Sequence, residues 1–259
     1  MDAPEVQRRC GPIVFIVPGL FEGQASFEPF KAALEGLVQN RVHISRLAST
    51  GKNPIDEGQF TMKNDIDVIA KDLADKVEAA GDEGVVLFLH SAAAFMGSEA
   101  MKGLTRQARA AQSKPGGVDL IIMLAAAIVP EGHMHETMPW MNVNQQQNTY
   151  TCTDPIQNLF HDMSHEAAIG WSQKMQAQPH LGWFGKTSYC GWREVPSHWI
   201  LTEGDKLVPV ALQETMAQMA ASKTMRLDAG HMAHLSRTDD VARMVAEIMT
   251  GQQGRASDT

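Results

Sequence analysis

The chain has 259 residues, 44% of them hydrophobic and 20% charged, a composition typical of a globular protein that can bury a large core. Its formal net charge of −8 argues against the clustered lysine and arginine that a nucleic-acid or anionic-membrane surface requires. We therefore expect neither a nucleic acid nor a membrane among its partners.

Apolar strands and amphipathic helices alternate through the first half of the chain. The first strand is apolar throughout, as expected where both faces of a sheet are covered. The longest helix carries Ile66, Ile69 and Leu73 on one face and ends near Gly81. The predicted strands cover residues 12–20, 41–49, 84–90 and 118–130, and the predicted helices cover residues 27–38, 62–81 and 93–111.

The pattern changes over residues 131–196, where no strong strand period is present and aromatic, methionine and histidine side chains crowd together. One helix is predicted in this segment, over residues 164–177. The alternation of strand and helix then resumes. Residues 197–205 and 223–231 are each predicted to run from a strand into a loop, and the later predicted helices cover residues 209–221 and 239–251.

This alternation predicts an α/β fold, in which a mostly parallel sheet is flanked by helices on both faces. We expect residues 1–130 and 197–259 to form this core and residues 131–196 to form a helical cap, or lid, inserted after the fourth strand. Such a cap would lie over the carboxyl edge of the sheet, where ligands bind in open α/β folds.

The aromatic and methionine content of the predicted cap favours an apolar ligand. Four tryptophans would either line the substrate pocket or form the core of the cap itself: Trp140, Trp171, Trp183 and Trp192.

The stretch "VVLFLHSAAAFMG", residues 85–97, ends an apolar strand in His90 and Ser91 and continues with three alanines. A strand that merely turned would more commonly end in Gly, Asn, Asp or Pro. A nucleophile elbow explains the pattern, because its serine lies on a sharp strand-to-helix turn that only small neighbours tolerate. The alternative is that Ser91 is simply the N-cap of the next helix.

Two more reactive side chains follow predicted strands near the end of the chain. Asp205 follows "HWILTEG", and His231 follows "MRLDAG". A histidine can accept the proton of a serine hydroxyl, and a carboxylate can orient that histidine. The chain order Ser, Asp, His is the order found in α/β-hydrolases. Glu203 is a rival for the acid, and His234 is a rival for the base.

An anion that forms on a substrate carbonyl needs hydrogen-bond donors. We expect the backbone N–H groups of Leu20, in the loop "VPGLFEG", and of Ala92, after the elbow serine, to form this oxyanion hole. Gly19 allows this loop to turn tightly. We also expect Gly19, Phe21 and His90 to line the substrate pocket.

Together these motifs resemble the compact branch of the α/β-hydrolases that includes plant-type methylesterases, salicylate-binding esterases and hydroxynitrile lyases. The resemblance spans about residues 13–249 and rests on "VPGLFEG", "LHSAAA", "ILTEGDKLVPVALQ", "AGHMAHLS" and "FHDMSHEAAIGWSQKM". It implies that Asp205 and His231 lie where this branch keeps its acid and its base.

The chain departs from this branch at several positions. Its oxyanion loop begins Pro18-Gly19 where the branch has His-Gly, and its elbow has Leu89 and Ala93 where the branch has a small residue and a glycine. The hydroxynitrile lyases carry a threonine in the oxyanion loop and a lysine after the histidine. This chain has Gly19 and Met232 there, which favours hydrolysis over cyanohydrin cleavage.

The histidines of residues 131–196 invite comparison with a zinc site, which needs three or four convergent ligands. His133 and His135 are two residues apart, His161 and His165 are four apart, and no "HExxH" motif is present. We therefore interpret them as solvated or hydrogen-bonded histidines and expect neither a metal nor a cofactor.

The cysteines Cys10, Cys152 and Cys190 are sparse and odd in number, so they predict a reducing compartment with no disulfide framework. The N-terminus has no apolar signal segment, and no apolar run reaches the roughly 20 residues of a membrane span. We expect a cytoplasmic protein.

The leading hypothesis is a serine hydrolase that cleaves a carboxylic ester or lactone of a moderately apolar small molecule, such as a natural-product ester or a polyketide lactone. The first alternative is a small-molecule receptor with a slow or vestigial triad. The second is a non-hydrolytic α/β-hydrolase that acts as a C–C lyase, a cyclase or an acyl transferase. An exposed apolar cap would equally serve as the contact of a homodimer.

Overall fold

The computed structural model of the protein describes residues 11–38 and 40–251, and Cys10 lies outside them. Its centre is a six-stranded parallel sheet with the strand order β2-β1-β3-β4-β8-β9. The strands of the described chain are β1 (Ile13–Val17), β2 (Val42–Ile44), β3 (Val85–His90), β4 (Val118–Leu124), β5 (Met141–Asn144), β6 (Thr149–Cys152), β7 (Gln178–Pro179), β8 (Ser197–Thr202) and β9 (Lys223–Leu227).

Helices connect the strands and cover both faces of the sheet. They are α1 (Glu28–Leu37), α2 (Pro54–Glu57), α3 (Met62–Ala80), α4 (Ala93–Ala100), α5 (Arg106–Ala110), α6 (Pro155–Asn158), α7 (His165–Ser172), α8 (Val210–Met219), α9 (Ala233–Ser236) and α10 (Thr238–Thr250). Short 3-10 turns lie at Gln24–Ser26, Gly81–Glu83 and Gly191–Arg193.

Alternate residues of the strands face two separate hydrophobic clusters. Phe15 and Leu87 face one cluster, which α3 completes with Ile69 and Leu73. The intervening residues of the same strands face the other cluster, which α1 and α10 complete. Because both faces are covered, the central strands β1 and β3 are fully buried and almost entirely apolar. The predicted α/β fold, with its parallel sheet between two layers of helices, is confirmed.

The helix predicted over residues 93–111 is two shorter helices in the structure. α4 ends at Ala100, and Gly103 adopts a left-handed conformation with φ +77°. The chain then extends at Thr105, which bridges to Val118 of β4, and the Thr105 side chain caps α5 by accepting from the Ala108 N–H. Glycine tolerates this conformation without steric cost, so Gly103 marks the break.

The segment 131–196, predicted to be helical, also contains the antiparallel sheet β5-β6-β7. The turn between β5 and β6 is the polar stretch "NQQQN". The Asn144 side chain accepts from the N–H groups of Gln146 and Gln147, and Asn148 has φ +52°. Asparagine forms such turns readily and tolerates left-handed backbone. The predicted helix over 164–177 is the shorter α7.

Polar contacts attach this segment to the core on two sides. The indole N–H of Trp183 donates to Asp65 of α3 over 2.7 Å. Asp162 accepts from the Gly230 N–H and from the Ser236 hydroxyl, each over 2.6 Å. The segment is therefore held both to a helix of the core and to the loop that follows β9.

Among the described residues, none of the helices combines the length and the apolar content that crossing a bilayer demands.

We expect Leu73→Ala to lower the free energy of unfolding by about 2–5 kcal/mol, because Leu73 is fully buried between α3 and the sheet. Lys71→Ala on the same helix removes only an exposed pair with Asp75 and should cost less than about 1 kcal/mol. Urea unfolding of both variants measures the difference. Equal costs would contradict the packing of α3 described above.

Candidate active site

Ser91, Asp205 and His231 follow three different strands of the sheet, at the same edge. Ser91 follows β3, Asp205 lies in the loop after β8, and His231 lies in the loop after β9. Since all three strands are parallel, their carboxyl ends share one edge, and loops from this edge bring together side chains that are far apart in the sequence.

Ser91 has the strained geometry of a nucleophile elbow. Its φ is +54°, a left-handed conformation that is uncommon for any residue except glycine. Leu89, which departs from the small residue expected there, is accommodated by Gly97 of α4. A Cβ at position 97 would lie 2.4 Å from Leu89 Cδ2, so only glycine allows this helix and strand to pack so closely.

A continuous chain of hydrogen bonds joins the three side chains. The Ser91 hydroxyl lies 2.9 Å from His231 Nε2, and His231 Nδ1 lies 2.8 Å from Asp205 Oδ2. Ser91 therefore directs its side chain towards His231, and no side chain caps the following helix α4. This arrangement suits a serine whose proton is accepted by histidine and a histidine whose tautomer is fixed by a carboxylate.

Asp205 is held in place by more than His231. It accepts from the backbone N–H groups of Leu207 and Val208, each over 2.8 Å, and from the Thr202 hydroxyl over 3.1 Å. Burial raises the pKa of the Asp205 carboxyl, but the His231 ring and these donors lower it by more, so the pKa lies below its ordinary value. Asp205 is therefore ionised at neutral pH and can orient His231.

The rival acid and the rival base lie elsewhere. Glu203 is exposed and pairs with Arg226 over 2.9 Å. His234 is fully buried and stacks on Phe27, with ring centroids 4.1 Å apart. Burial lowers the pKa of His234 to about 3, so this ring is neutral. The structure brings Asp205 and His231, and not these rivals, to Ser91.

Two backbone N–H groups are free at the expected oxyanion hole. No described residue accepts a hydrogen bond from the N–H of Leu20 or of Ala92. Phe21, directly after Leu20, has φ +69°, so the loop after β1 turns sharply at this point. Ala92 is the first residue after the elbow, where α4 begins. Helix N-termini of this kind favour a developing negative charge.

Ser91 and His231 open into a cavity of about 400 Å³. Its wall is largely apolar and includes five methionines, at positions 138, 141, 175, 216 and 232. Methionine side chains are flexible and adapt to irregular apolar ligands. The polar part of the wall, besides the groups near Ser91, comes from His133, His135 and Glu136.

The predicted pocket residues divide into two groups. Phe21, His90, Trp140 and Trp183 line the cavity. Gly19 does not line it, because this residue lies behind the elbow and its N–H donates to Glu22.

The structure places the other two tryptophans away from this cavity. Trp171 borders a separate cavity of about 110 Å³ and stacks against the Lys174 ammonium group. Trp192 is buried against α4, and its backbone N–H donates to the Ser98 hydroxyl over 3.0 Å. Spacing in the sequence did not distinguish these residues from Trp140 and Trp183.

Three residues near the site were not singled out from the sequence. Gln213 is fully buried and donates to the Thr202 hydroxyl beside Asp205. Asp162 holds the loop that carries His231. Glu22 is buried beside His90. The only signal for Glu22 was an acidic residue in an otherwise apolar loop, "VPGLFEG".

One group of described residues has the composition of a metal site: Glu22, His90 and His234, with ligand atoms within 4.8 Å of one another. His90 Nε2 already faces the His231 carbonyl oxygen, and His90 Nδ1 faces the Glu22 carboxylate. Both nitrogens are thereby engaged as donors and leave no lone pair for a metal. The histidine pairs of the segment 131–196 form no such group among the described residues.

Comparisons with known proteins identify the family of the chain. A model of the alpha/beta hydrolase family matches residues 13–244. An alpha/beta hydrolase of Aspergillus novofumigatus, nvfD, is 25% identical over 245 residues, which cover 90% of this chain and 95% of that protein. The chain therefore belongs to the alpha/beta hydrolase family.

Solved structures share the fold at lower identity. A methylesterase from Arabidopsis superposes with a TM-score of 0.68 at 17% identity, covering 92% of this chain and 99% of the other. A pyrethroid hydrolase from Sphingobium faniae JZ-2 has a TM-score of 0.66 at 17% identity, covering 92% and 97%. At these identities the likeness shows a common fold.

We expect the His135 ring in the cavity wall to stay neutral down to about pH 4. Burial, together with the neighbouring His133 ring, lowers its pKa to about 4. An NMR titration of the imidazole nitrogens, assigned with a His135→Gln variant, measures this value. Protonation of His135 close to the ordinary histidine pKa would show that the cavity is more open to water than the structure indicates.

Proposed function

We propose that this member of the alpha/beta hydrolase family is a serine esterase that hydrolyses a carboxylic ester or lactone of a moderately apolar small molecule. The observation that carries the proposal is the hydrogen-bonded chain from Asp205 through His231 to Ser91, where the serine has φ +54° and opens into an apolar cavity. A serine that served only as a helix cap would need neither the strained backbone nor a histidine partner.

In the first half of the proposed reaction, Ser91 Oγ attacks the ester carbonyl carbon while His231 Nε2 accepts the serine proton. Asp205 stabilises the imidazolium that forms. The carbonyl oxygen becomes an oxyanion and receives hydrogen bonds from the N–H groups of Leu20 and Ala92. Such donors stabilise the transition state by several kcal/mol because they are fixed before the charge develops.

Collapse of this intermediate breaks the bond to the leaving alcohol, which takes the proton from His231. Ser91 is then acylated. In the second half, a water molecule gives its proton to His231 and attacks the acyl carbon, and the collapse of the second intermediate returns the proton to Ser91. The carboxylic acid leaves, and the enzyme regains its starting state.

The cavity sets the class of substrate. Its volume of about 400 Å³ is within the range of sites that bury a drug-sized molecule, and its wall is mainly apolar. Met232 follows His231 directly and lines the cavity with a side chain that carries no exchangeable proton. This favours hydrolysis over a reaction that requires a second cation beside the histidine.

Residues 131–196 serve as the cap of this site in our proposal. They supply Trp140, Met141 and Phe184 to the cavity wall, opposite the residues that follow the strands. A cap of this kind excludes bulk water from the reacting ester and strengthens the hydrogen bonds to the oxyanion.

We expect Ser91→Ala and His231→Ala each to lower kcat/KM for p-nitrophenyl esters and lactones on the order of 10³-fold or more, with an unchanged circular dichroism spectrum. The matched controls are Ser222→Ala and His165→Ala. Ser222 bonds Ser197 near the opposite edge of the sheet, and His165 begins α7. Both controls should keep the parent rate.

Reactions in H₂¹⁸O identify the chemistry. Hydrolysis places one labelled oxygen in the carboxylate product. Esterase activity of Ser91→Ala at the parent rate would contradict the proposal. So would an unlabelled product, which indicates lyase, cyclase or transferase chemistry, or stoichiometric binding without turnover, which indicates a receptor.

A further inference from the structure

A second buried histidine–carboxylate pair lies directly behind Ser91 and His231. His90 Nδ1 lies 2.9 Å from Glu22 Oε2, and both side chains are buried. His90 belongs to β3 and precedes Ser91, whereas Glu22 lies 68 residues earlier, in the loop that contributes the Leu20 N–H. The proposed hydrolysis mechanism uses neither side chain in a proton transfer.

The partners of His90 define its charge. His90 Nε2 lies 2.9 Å from the backbone carbonyl oxygen of His231, and a carbonyl can only accept. Nδ1 faces Glu22 Oε2, which also accepts from the Gly19 N–H. Both ring nitrogens of His90 are therefore donors, and the ring is an imidazolium ion paired with a buried carboxylate.

The environment of the two groups agrees with this assignment. Burial by itself lowers the pKa of His90, but the charge and hydrogen bond of Glu22 raise it above its ordinary value. Burial likewise raises the pKa of Glu22, but the His90 ring and the Gly19 N–H lower it, so the pKa lies below its ordinary value. His234 Nε2 lies 3.3 Å from Glu22 Oε1 and closes the cluster on its other side.

The pair connects three loops that carry the reacting groups. Glu22 holds the oxyanion loop through the Gly19 N–H, His90 is bonded covalently to Ser91, and the His90 ring holds the main chain of His231. The side chains around Gly19 are closely packed. A Cβ at Gly19 would lie 2.9 Å from Glu22 Oε2 and 3.1 Å from both His90 Nδ1 and Ser91 Cβ.

We infer that Glu22 and His90 are positioning residues, which lock the oxyanion loop and the His231 loop onto the nucleophile elbow. This inference rests on the proposed function, because it assigns a role to residues around the same site. A shift of about 1 Å in the reacting groups can cost about 10²-fold in rate. Loss of the pair should therefore lower kcat, while the apolar part of the cavity wall, which binds the substrate, stays in place.

Three variants test the pair. Glu22→Gln keeps the shape and one acceptor oxygen but removes the charge, Glu22→Leu keeps only the volume, and His90→Phe keeps the ring without its hydrogen bonds. We expect kcat for a p-nitrophenyl ester to fall about 10²-fold in Glu22→Leu and His90→Phe. Glu22→Gln should retain more activity than Glu22→Leu, and KM should stay within about threefold in all three.

The chain offers a matched control in another histidine–carboxylate pair, away from the site. His43 Nε2 lies 2.8 Å from Asp72 Oδ2, between β2 and α3, and neither residue lines the cavity. We expect His43→Phe and Asp72→Asn to leave kcat at the parent value. A similar loss in these controls would show that any break in such a pair lowers activity through general stability.

The outcomes separate this inference from the proposed function. Ser91-dependent turnover with a parent kcat in Glu22→Gln and Glu22→Leu would overturn the inference alone. A loss confined to KM would overturn it as well. Thermal melting identifies variants that fail to fold. If Glu22→Leu and His90→Phe do not fold, Glu22→Gln decides the question, because it keeps the shape of the side chain.

An NMR measurement tests the pair without any turnover. The imidazole nitrogens of His90 should both carry protons at neutral pH in the parent protein, and this state should be lost in Glu22→Gln. A neutral His90 in the parent would overturn the inference. Protonated His90 together with no Ser91-dependent turnover would overturn the proposed function and leave the charged pair intact.

Discussion

The 2.9 Å hydrogen bond between Ser91 and His231 joins residues 140 positions apart, on loops that follow β3 and β9. Two other strands, β4 and β8, separate β3 from β9 in the sheet, so the bond forms only if all of these strands end at one edge. Parallel pairing provides this, since it directs every carboxyl end the same way. Parallel strands in turn need helical crossovers, which bury both faces of the sheet and leave its central strands β1 and β3 almost entirely apolar. The chemistry proposed for the site thus depends on the same pairing that builds the core.

The segment 131–196 contributes to the site at this edge of the sheet in two ways. It supplies apolar side chains to the cavity wall, and Asp162 within it holds the Gly230 N–H beside His231. The base of the proposed reaction is therefore positioned from two directions, by Asp162 from this segment and by His90 from β3. Trp183 connects the same segment to Asp65 of α3. In the proposed enzyme, substrate enclosure and base geometry are therefore coupled through a few polar contacts, each of which a single substitution can remove.

Much of this arrangement could be predicted from the sequence, because strands buried on both faces leave a clear apolar signal and their ends point to one edge. Ser91, Asp205 and His231 each lie within a few residues of the end of a strand, and the structure brings them together. The sheet β5-β6-β7 was missed, since its strands are short and carry no clear alternation. Glu22 was missed because a loop carboxylate is ordinarily solvated, and its partner His90 is 68 residues away. Trp140 lines the cavity and Trp192 does not, because different residues pack around them in the fold. Residue spacing in the sequence does not record this packing.

Labelling with a fluorophosphonate tests the central claim most directly, because this probe reacts only with a serine that a neighbouring base has activated. Intact mass and peptide mapping would be read for the parent protein and for Ser91→Ala and His231→Ala. The account predicts a single adduct on Ser91, absent from both variants. An unlabelled but folded parent protein, an adduct on another residue, or labelling of Ser91 at the parent rate without His231 would contradict it.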